Sequence, residues 1–472
     1  MINSIGIRHE DLYIGERRAP LTPEHVDLLI HQKNLDIVVQ ISDKRIFTNR
    51  EYKQAGARLA CDLHDIPIIM GVKEIPIDEI EEKKTYINFS HVVKGQPDNM
   101  PRLRRMLELG CNLIDYEKIT DEQGHRLIYF GYHAGVAGMI NTLWALGLKY
   151  REEGIETPFL KIKQAHKYKS LEEARAEISE LGALIAEEGL PDAILPLTVG
   201  FTGYGHVSQG AQEILGLLPV KEISPERLLM LRNRKCSPKN LVYKVVFKQE
   251  HIAENKEGKP FEKEDYYKNP SNYNGIFEKY LPGLSVLVNC MYWEPRFPRL
   301  VTKESVKRLF SEAVVADLEA ETIRPIDDQP LPLGISNYPK LKVIGDITCD
   351  PDGSIEITHK GTEPEDPLFV YNPLTDKQTM GYKGHGMLVM AVHILPSELP
   401  REASQKFSGA LIHYLEPIAK CNFDDAYDDL KIPDAIKRAV IVHKGKLTPQ
   451  FSYLNKYLDA FQNENTLKLS TT

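Results

Sequence analysis

Residues 197–218, LTVGFTGYGHVSQGAQEILGLL, constrain the fold more than any other stretch of this chain. An apolar, β-prone run (197–201) meets Gly203 and Gly205, and helical spacing follows at Val207, Ala211, Ile214, Leu215 and Leu218. A strand that turns on glycines into a helix offers backbone N–H groups and the positive helix end to a pyrophosphate. Gly203, Tyr204, Gly205, His206 and Val207 are therefore the candidate dinucleotide-binding residues. Ser208 stands where a third glycine would let helix and strand pack closely, and Gly210 comes two residues later. A plain strand–turn–helix would carry the same two glycines, so the assignment rests on the pattern that flanks them.

The rest of the chain supplies the units such a motif needs. SIGIR (4–8), DIVVQ, IPIIMGV and TYINFS read as short strands, and Thr22-Pro23 caps a helix over EHVDLLIHQ. A further helix is expected over about 100–109, before the strand CNLID. This alternation implies βαβ units and a mainly parallel sheet. GYHAGVAGMINTLWALGLKY (131–150) reads as a long connecting helix between domains, and Leu171–Glu188 as a charged surface helix. PVKEI is expected as the second strand of the dinucleotide domain, with Glu222, 19 residues past Gly203, placed to grip a ribose 2′-OH. Its neighbour Lys221 can instead face a 2′-phosphate, so NAD and NADP both stay open. Residues 251–275 read as a polar surface excursion, and 285–293 and 341–347 as buried parallel strands. From Ser397 the pattern is helical, with two shorter helices ending near Gln462.

Composition excludes several classes of function. The net charge is −8, from 59 basic and 67 acidic residues, and no block of five or six like charges occurs. Neither a nucleic-acid footprint nor a polybasic membrane anchor is expected. No apolar run approaches the ~18–20 residues of a membrane span. The six cysteines (61, 111, 236, 290, 349, 421) are scattered, which reads as reduced thiols, mostly buried, and no thiolate metal site. The fifteen histidines are dispersed, and no catalytic metal is expected. The opening stretch MINSIGIRHEDLYIGERR is charged too early for a secretory signal and carries acids a transit peptide avoids. A cytoplasmic protein is the expectation.

Reactive side chains gather at strand ends in the first part of the chain. GERRAPLTP places Arg17 and Arg18 just before a helix, where an arginine forks onto a carboxylate. IPIIMGVKE puts Lys73 and Glu74, and NFSHVVKGQ puts His91 and Lys94, at the carboxyl ends of strands, where ligands of open α/β sheets collect. Glu117 and Arg126 hold comparable places. Each alone reads equally as a structural or solvated residue; the candidate site is the cluster.

ERRAPLTPEHV, IIMGVKE, FSHVVKGQ, LIDYEKITDEQGHRLIYFGYHAGVAGM and FTGYGHVSQGAQEIL, in this order and spacing, resemble the lysine-ketoglutarate reductases. These saccharopine-forming dehydrogenases are the N-terminal half of bifunctional aminoadipic semialdehyde synthase. The likeness continues through LVNCMYWEPRFPRLVT, GDITCDPDGSIE and LPSELPREAS. More distantly the chain is similar to alanine dehydrogenase and the soluble part of transhydrogenase. The resemblance implies an α/β protein of two Rossmann-like domains with parallel sheets, a cleft between them, and C-terminal helices returning to the first domain. The expected boundaries are 1–137 for the substrate domain, 138–396 for the dinucleotide domain and 397–472 for the returning helices. It also implies roles: Lys73 and His91 as acid–base groups, Arg18 and Arg126 on substrate carboxylates, and Glu74 and Glu117 tuning the pocket's charge. Asp350 is implied near the nicotinamide. The implied reaction joins L-lysine to 2-oxoglutarate with NAD(P)H. An alanine-dehydrogenase-like reductive amination and a catalytically silent nucleotide-binding protein are the alternatives, and a homo-oligomer stays open.

Overall fold

The computed structural model describes residues 4–231, 237–319 and 339–460, with the backbone alone over 313–319. Cys236 and the expected helix end near Gln462 lie outside the described residues. The chain divides into two compact units: one runs through Phe130 and resumes at Pro400, and the other is Gly131–Leu399.

In the first unit, β1 (Ser4–Ile7), β2 (Asp36–Gln40), β3 (Arg58–Ala60), β4 (Ile68–Met70), β5 (Thr85–Asn88) and β6 (Asn112–Asp115) form a parallel sheet in the order 3-2-1-4-5-6. Both faces are covered, so the strands are apolar almost without interruption. Ile5, Ile7, Ile68 and Met70 face the helices Pro23–Lys33 and Pro400–Lys420, with Val26, Leu29, Phe407, Leu411 and Leu415. Ile69, Tyr86 and Leu113 face helix Met100–Glu108 through Leu103 and Met106. Thr22 caps the first helix as expected, accepting the His25 amide at 3.3 Å, with Pro23 in the first turn.

The C-terminal segment departs from the helical expectation. After Pro400–Lys420, residues Val440–His443 join β6 antiparallel, and Lys446–Leu447 follow as the sheet edge. AVIVH is a β-branched run buried on both faces, and that outweighs helical periodicity in so short a stretch.

The second unit holds β7 (Thr198–Thr202), β8 (Val220–Glu222), β9 (Val242–Phe247), the hairpin β10 (Ala253–Asn255) and β11 (Tyr273–Gly275), then β12 (Val286–Asn289) and β13 (Val343–Asp346). β14 (Leu368–Asn372), β15 (Lys377–Met380) and β16 (Met387–Met390) complete it. The main sheet runs 8-9-7-12-13-16-14-15, parallel except at β14 and β15. PVKEI is thus a strand, as expected, but not the neighbour of β7. Short, exposed β8 takes the edge, and the more apolar VYKVVF takes the inner place.

Helix Gly131–Glu152 begins the second unit, directly after the first unit ends at Phe130. It is buried along most of its length in the core of this unit and crosses helix His206–Leu215 at close range. A Cβ on Gly135 would stand 1.9 Å from the Val207 carbonyl oxygen, and one on Gly210 would stand 2.1 Å from that of Tyr132. Gly210 therefore serves helix–helix packing. Helix Leu171–Glu188 has the expected bounds and buries one face through Ala174, Ile178, Leu181 and Ile185. The excursion after β9 is a hairpin with its own apolar cluster of Ala253, Tyr266 and Tyr273. Among the described cysteines none is in a disulfide, and Cys111, Cys290 and Cys421 are buried. Among the described residues no helix is long and apolar enough to cross a membrane.

Candidate active site

The strand order of the first unit reverses between β1 and β4, and in open α/β sheets the ligand crevice lies beyond the carboxyl ends of the strands at such a switch point. Five charged side chains converge there. Arg18 is buried, and Glu16 holds it through Nε at 2.8 Å and Nη2 at 2.5 Å. Its guanidinium lies 4.2 Å from the centre of the Phe130 ring, which stacks on Phe407 with ring centres 4.4 Å apart. The arginine that the sequence places on a substrate carboxylate is thus already forked by a carboxylate of its own loop, and its Nη1 side is the one Glu16 does not hold.

Lys73 leaves β4 with its ammonium 4.7 Å from the centre of the Tyr13 ring. Burial lowers its pKa, and so does the charge of Arg18, against the opposing pull of Glu74, Glu16 and Glu10. Glu74 follows, buried, with Oε1 2.6 Å from Nδ1 of His91. Burial pushes the Glu74 carboxyl up, but the His91 hydrogen bond and the charges of His91 and Lys73 prevail and hold it below the usual range. His91 sits just past β5 in a left-handed conformation (φ 50°), with Phe89 stacked near its ring and Asn99 donating to its carbonyl at 3.3 Å. Lys94 is exposed three residues on, where its amide bonds Gln96.

Glu117 and Arg126 form a pair of their own, Nη2 donating to Oε1, with Arg126 half-exposed. Between the two groups lies Asp115, fully buried at the end of β6, accepting Ser90 Oγ–H, the Ser90 amide at 3.0 Å and the Glu117 amide at 2.7 Å. Burial raises its pKa, against the Ser90 hydrogen bonds and the charges of His91 and Arg126. Glu10, Tyr13, Glu16 and Asp115 escaped the sequence reading. The one available signal was Glu16, two residues before Arg18 in the same loop.

In the second unit Gly203 turns at φ +81°, its amide bonded to the Phe247 carbonyl at 3.2 Å. Gly205 opens helix His206–Leu215 without a side-chain cap, and a Cβ there would meet nothing within 4 Å. Uncapped first-turn amides beside open space fit a pyrophosphate. Ser208 is buried and accepts from Gln212 at 2.9 Å. Tyr204 bonds Gln249 at 3.2 Å and Lys263 at 3.0 Å, which ties the excursion to the glycine turn. Glu222 is placed elsewhere: it stands on edge strand β8, paired with Lys244 at 2.7 Å. The residue leaving the strand beside β7 is Lys248. Asp350 lies half-buried beyond β13. The ends of β7, β12 and β13 are joined by Asn289, which accepts from Thr202 and donates to buried Asp346, all at 2.8 Å.

Known proteins match the chain over nearly its whole length. Residues 6–137 match the alanine dehydrogenase/PNT N-terminal domain and residues 340–450 the C-terminal domain of the same family, together a little over half of the chain. Alpha-aminoadipic semialdehyde synthase of Arabidopsis thaliana is 37% identical over 95% of this chain, and that of Mus musculus 33% over 99%. The chain spans 41% and 49% of those two proteins' lengths. A solved L-alanine dehydrogenase shares the fold, with a TM-score of 0.60 at 17% identity, covering 96% of this chain and 99% of that one. The cytoplasmic expectation is corrected: the mouse, rat and bovine relatives are named mitochondrial. Reduced thiols and the lack of a long apolar run exclude neither compartment. The chain belongs to the alanine dehydrogenase/PNT family.

Proposed function

We propose that this chain condenses L-lysine with 2-oxoglutarate and reduces the imine with NADH or NADPH to saccharopine. The observation that carries the reading is the convergence of Lys73, Glu74, His91 and Arg18 on one crevice, in a chain similar over nearly its whole length to aminoadipic semialdehyde synthases. The first unit serves the substrates and the second the dinucleotide, with Gly203 to Val207 at the pyrophosphate and Asp350 on the nicotinamide side. Bound nicotinamide dinucleotide supplies the hydride.

The ε-amine of lysine must be neutral to attack a ketone, although its pKa in water is about 10. Lys73, whose own pKa is lowered, takes that proton. The carbinolamine then loses water: His91, its imidazolium steadied by Glu74, gives a proton to the departing hydroxyl as the nitrogen lone pair expels it, leaving an iminium that keeps its N–H. Reduced at its carbon by the hydride a bound dinucleotide would supply, the iminium would become the secondary amine, its nitrogen keeping its proton. Arg18, through its Nη1 side, and Arg126 bind carboxylates of the oxo acid and amino acid, and Glu117 restrains Arg126. At the ribose, Lys248 rather than Glu222 stands at the end of the strand beside β7, which supports NADPH as the better reductant.

The deciding experiment follows NADH and NADPH oxidation with 2-oxoglutarate and, in turn, lysine, ornithine and ammonia. Turnover with lysine alone is expected. Turnover confined to ammonia makes the chain a reductive aminase, and none with any amine makes it a silent nucleotide binder.

A further inference from the structure

The segment leaving β1 carries a second buried carboxylate that reaches the neighbouring strand end. Glu10 Oε1 accepts the Val72 amide at 2.6 Å, and Oε2 accepts the Lys73 amide at 3.1 Å. Those are the amides with which the chain leaves β4, and the side chains that follow are Lys73 and Glu74. Burial raises the Glu10 pKa, against the charge of Arg8 and the two amides. Both oxygens act as acceptors, the arrangement of an ionised carboxylate, and charge-assisted bonds of this kind are about twice as strong as neutral ones. The two strand ends are in register up to that point, since the Arg8 amide donates to the Met70 carbonyl at 2.9 Å. Beyond it the parallel ladder stops, and Glu10 takes over the task of holding the two segments together.

We propose that Glu10 is a positioning residue: its carboxylate fixes the backbone of Val72 and Lys73, so that Lys73 and, through Glu74, His91 stand where proton transfer needs them. The inference rests on the reading of Lys73 and His91 as the acid–base pair. The charged and titratable groups facing Lys73 are Arg18, Glu74, Glu16, Glu10 and Tyr13, and those facing Glu10 are Arg8, Arg45, Glu16 and Tyr116. Glu10 is one of three carboxylates that favour the protonated Lys73, while Arg18 opposes it. Removing its charge therefore moves the titration of Lys73 to lower pH as well as loosening the backbone.

The test compares the wild-type chain with Glu10→Gln and Lys73→Met, reading circular dichroism, cofactor affinity, kcat, KM and the pH dependence of kcat. In folded Glu10→Gln, cofactor affinity and KM stay within about twofold, kcat falls about ten- to hundredfold, and the acid limb moves to lower pH. Wild-type kcat overturns the proposal. So does a lowered kcat with an unmoved limb, because a merely structural role predicts that. Should Glu10→Gln fail to fold, Glu10→Asp decides: it keeps the charge and withdraws it by one methylene. A loss of about tenfold in kcat is then expected, with faster hydrogen exchange at the Val72 and Lys73 amides, and wild-type values of both overturn the proposal. Full activity in Lys73→Met removes the acid–base reading itself. An inactive Lys73→Met beside an unaltered Glu10→Gln removes this inference alone.

Discussion

Nδ1 of His91 lies 2.6 Å from Oε1 of Glu74, joining side chains that leave adjacent strands β5 and β4. The same carboxylate bears on Lys73, whose protonated form it favours against burial and Arg18. One acid therefore couples the two groups assigned to proton transfer.

The pH dependence of condensation follows from that coupling. Lys73 works as a base when neutral, so kcat rises with pH through its lowered pKa, and the acid limb lies below the ordinary lysine range. Glu74→Gln removes a charge that favours ammonium. The limb should move to still lower pH, with kcat reduced about tenfold or more. Stability changes in the opposite sense at low pH. The Glu74 carboxyl is held below its usual range, so its contribution is present above the unfolded value and lost as pH falls through the folded one. Acid titration of wild type should show a loss that Glu74→Gln lacks.

Glu16 and Arg18 are both buried, and breaking one side of such a pair strands the other charge. Arg18→Leu is expected to cost about 3–5 kcal/mol in urea unfolding. Adding Glu16→Leu should recover most of that stability without recovering activity. If the double variant is as unstable as the single one, the pair is not what the burial implies.

The helix crossing makes a separate prediction. Gly135→Ala or Gly210→Ala would drive a methyl into a backbone carbonyl, so the helices must separate. A destabilisation of about 1–3 kcal/mol or more is expected, measured by thermal unfolding. Cofactor affinity should fall with it, because helix His206–Leu215 presents its first amides beside Gly205.

Cofactor choice is testable at one position. Lys248→Glu should lower kcat/KM for NADPH at least about tenfold relative to NADH, while Glu222→Gln leaves the ratio unchanged. The reverse pattern would return the ribose to Glu222.

Much of this was legible from residue types. The parallel strands announced themselves as apolar runs, the first helix start as Thr22-Pro23, and the cluster at strand ends as Lys73, Glu74 and His91. What escaped depended on lateral order, which sequence does not encode locally. Glu222 has the right spacing for the ribose but lies on a strand placed at the edge, since chain order and sheet order differ at β8 and β9. Glu10 went unremarked because its partners are backbone amides 62 and 63 residues away. AVIVH is five residues long, too few for periodicity to separate strand from helix.

The strand Val440–His443 is the neighbour of β6, more than three hundred residues earlier in the chain. The first sheet therefore cannot be finished on the ribosome until the entire second unit has been made. Until then β6 presents a bare edge of hydrogen-bonding groups, an invitation to mispairing between nascent chains. Such a protein should depend on chaperones early in synthesis and gain its protease resistance only once Val440–His443 has emerged and paired.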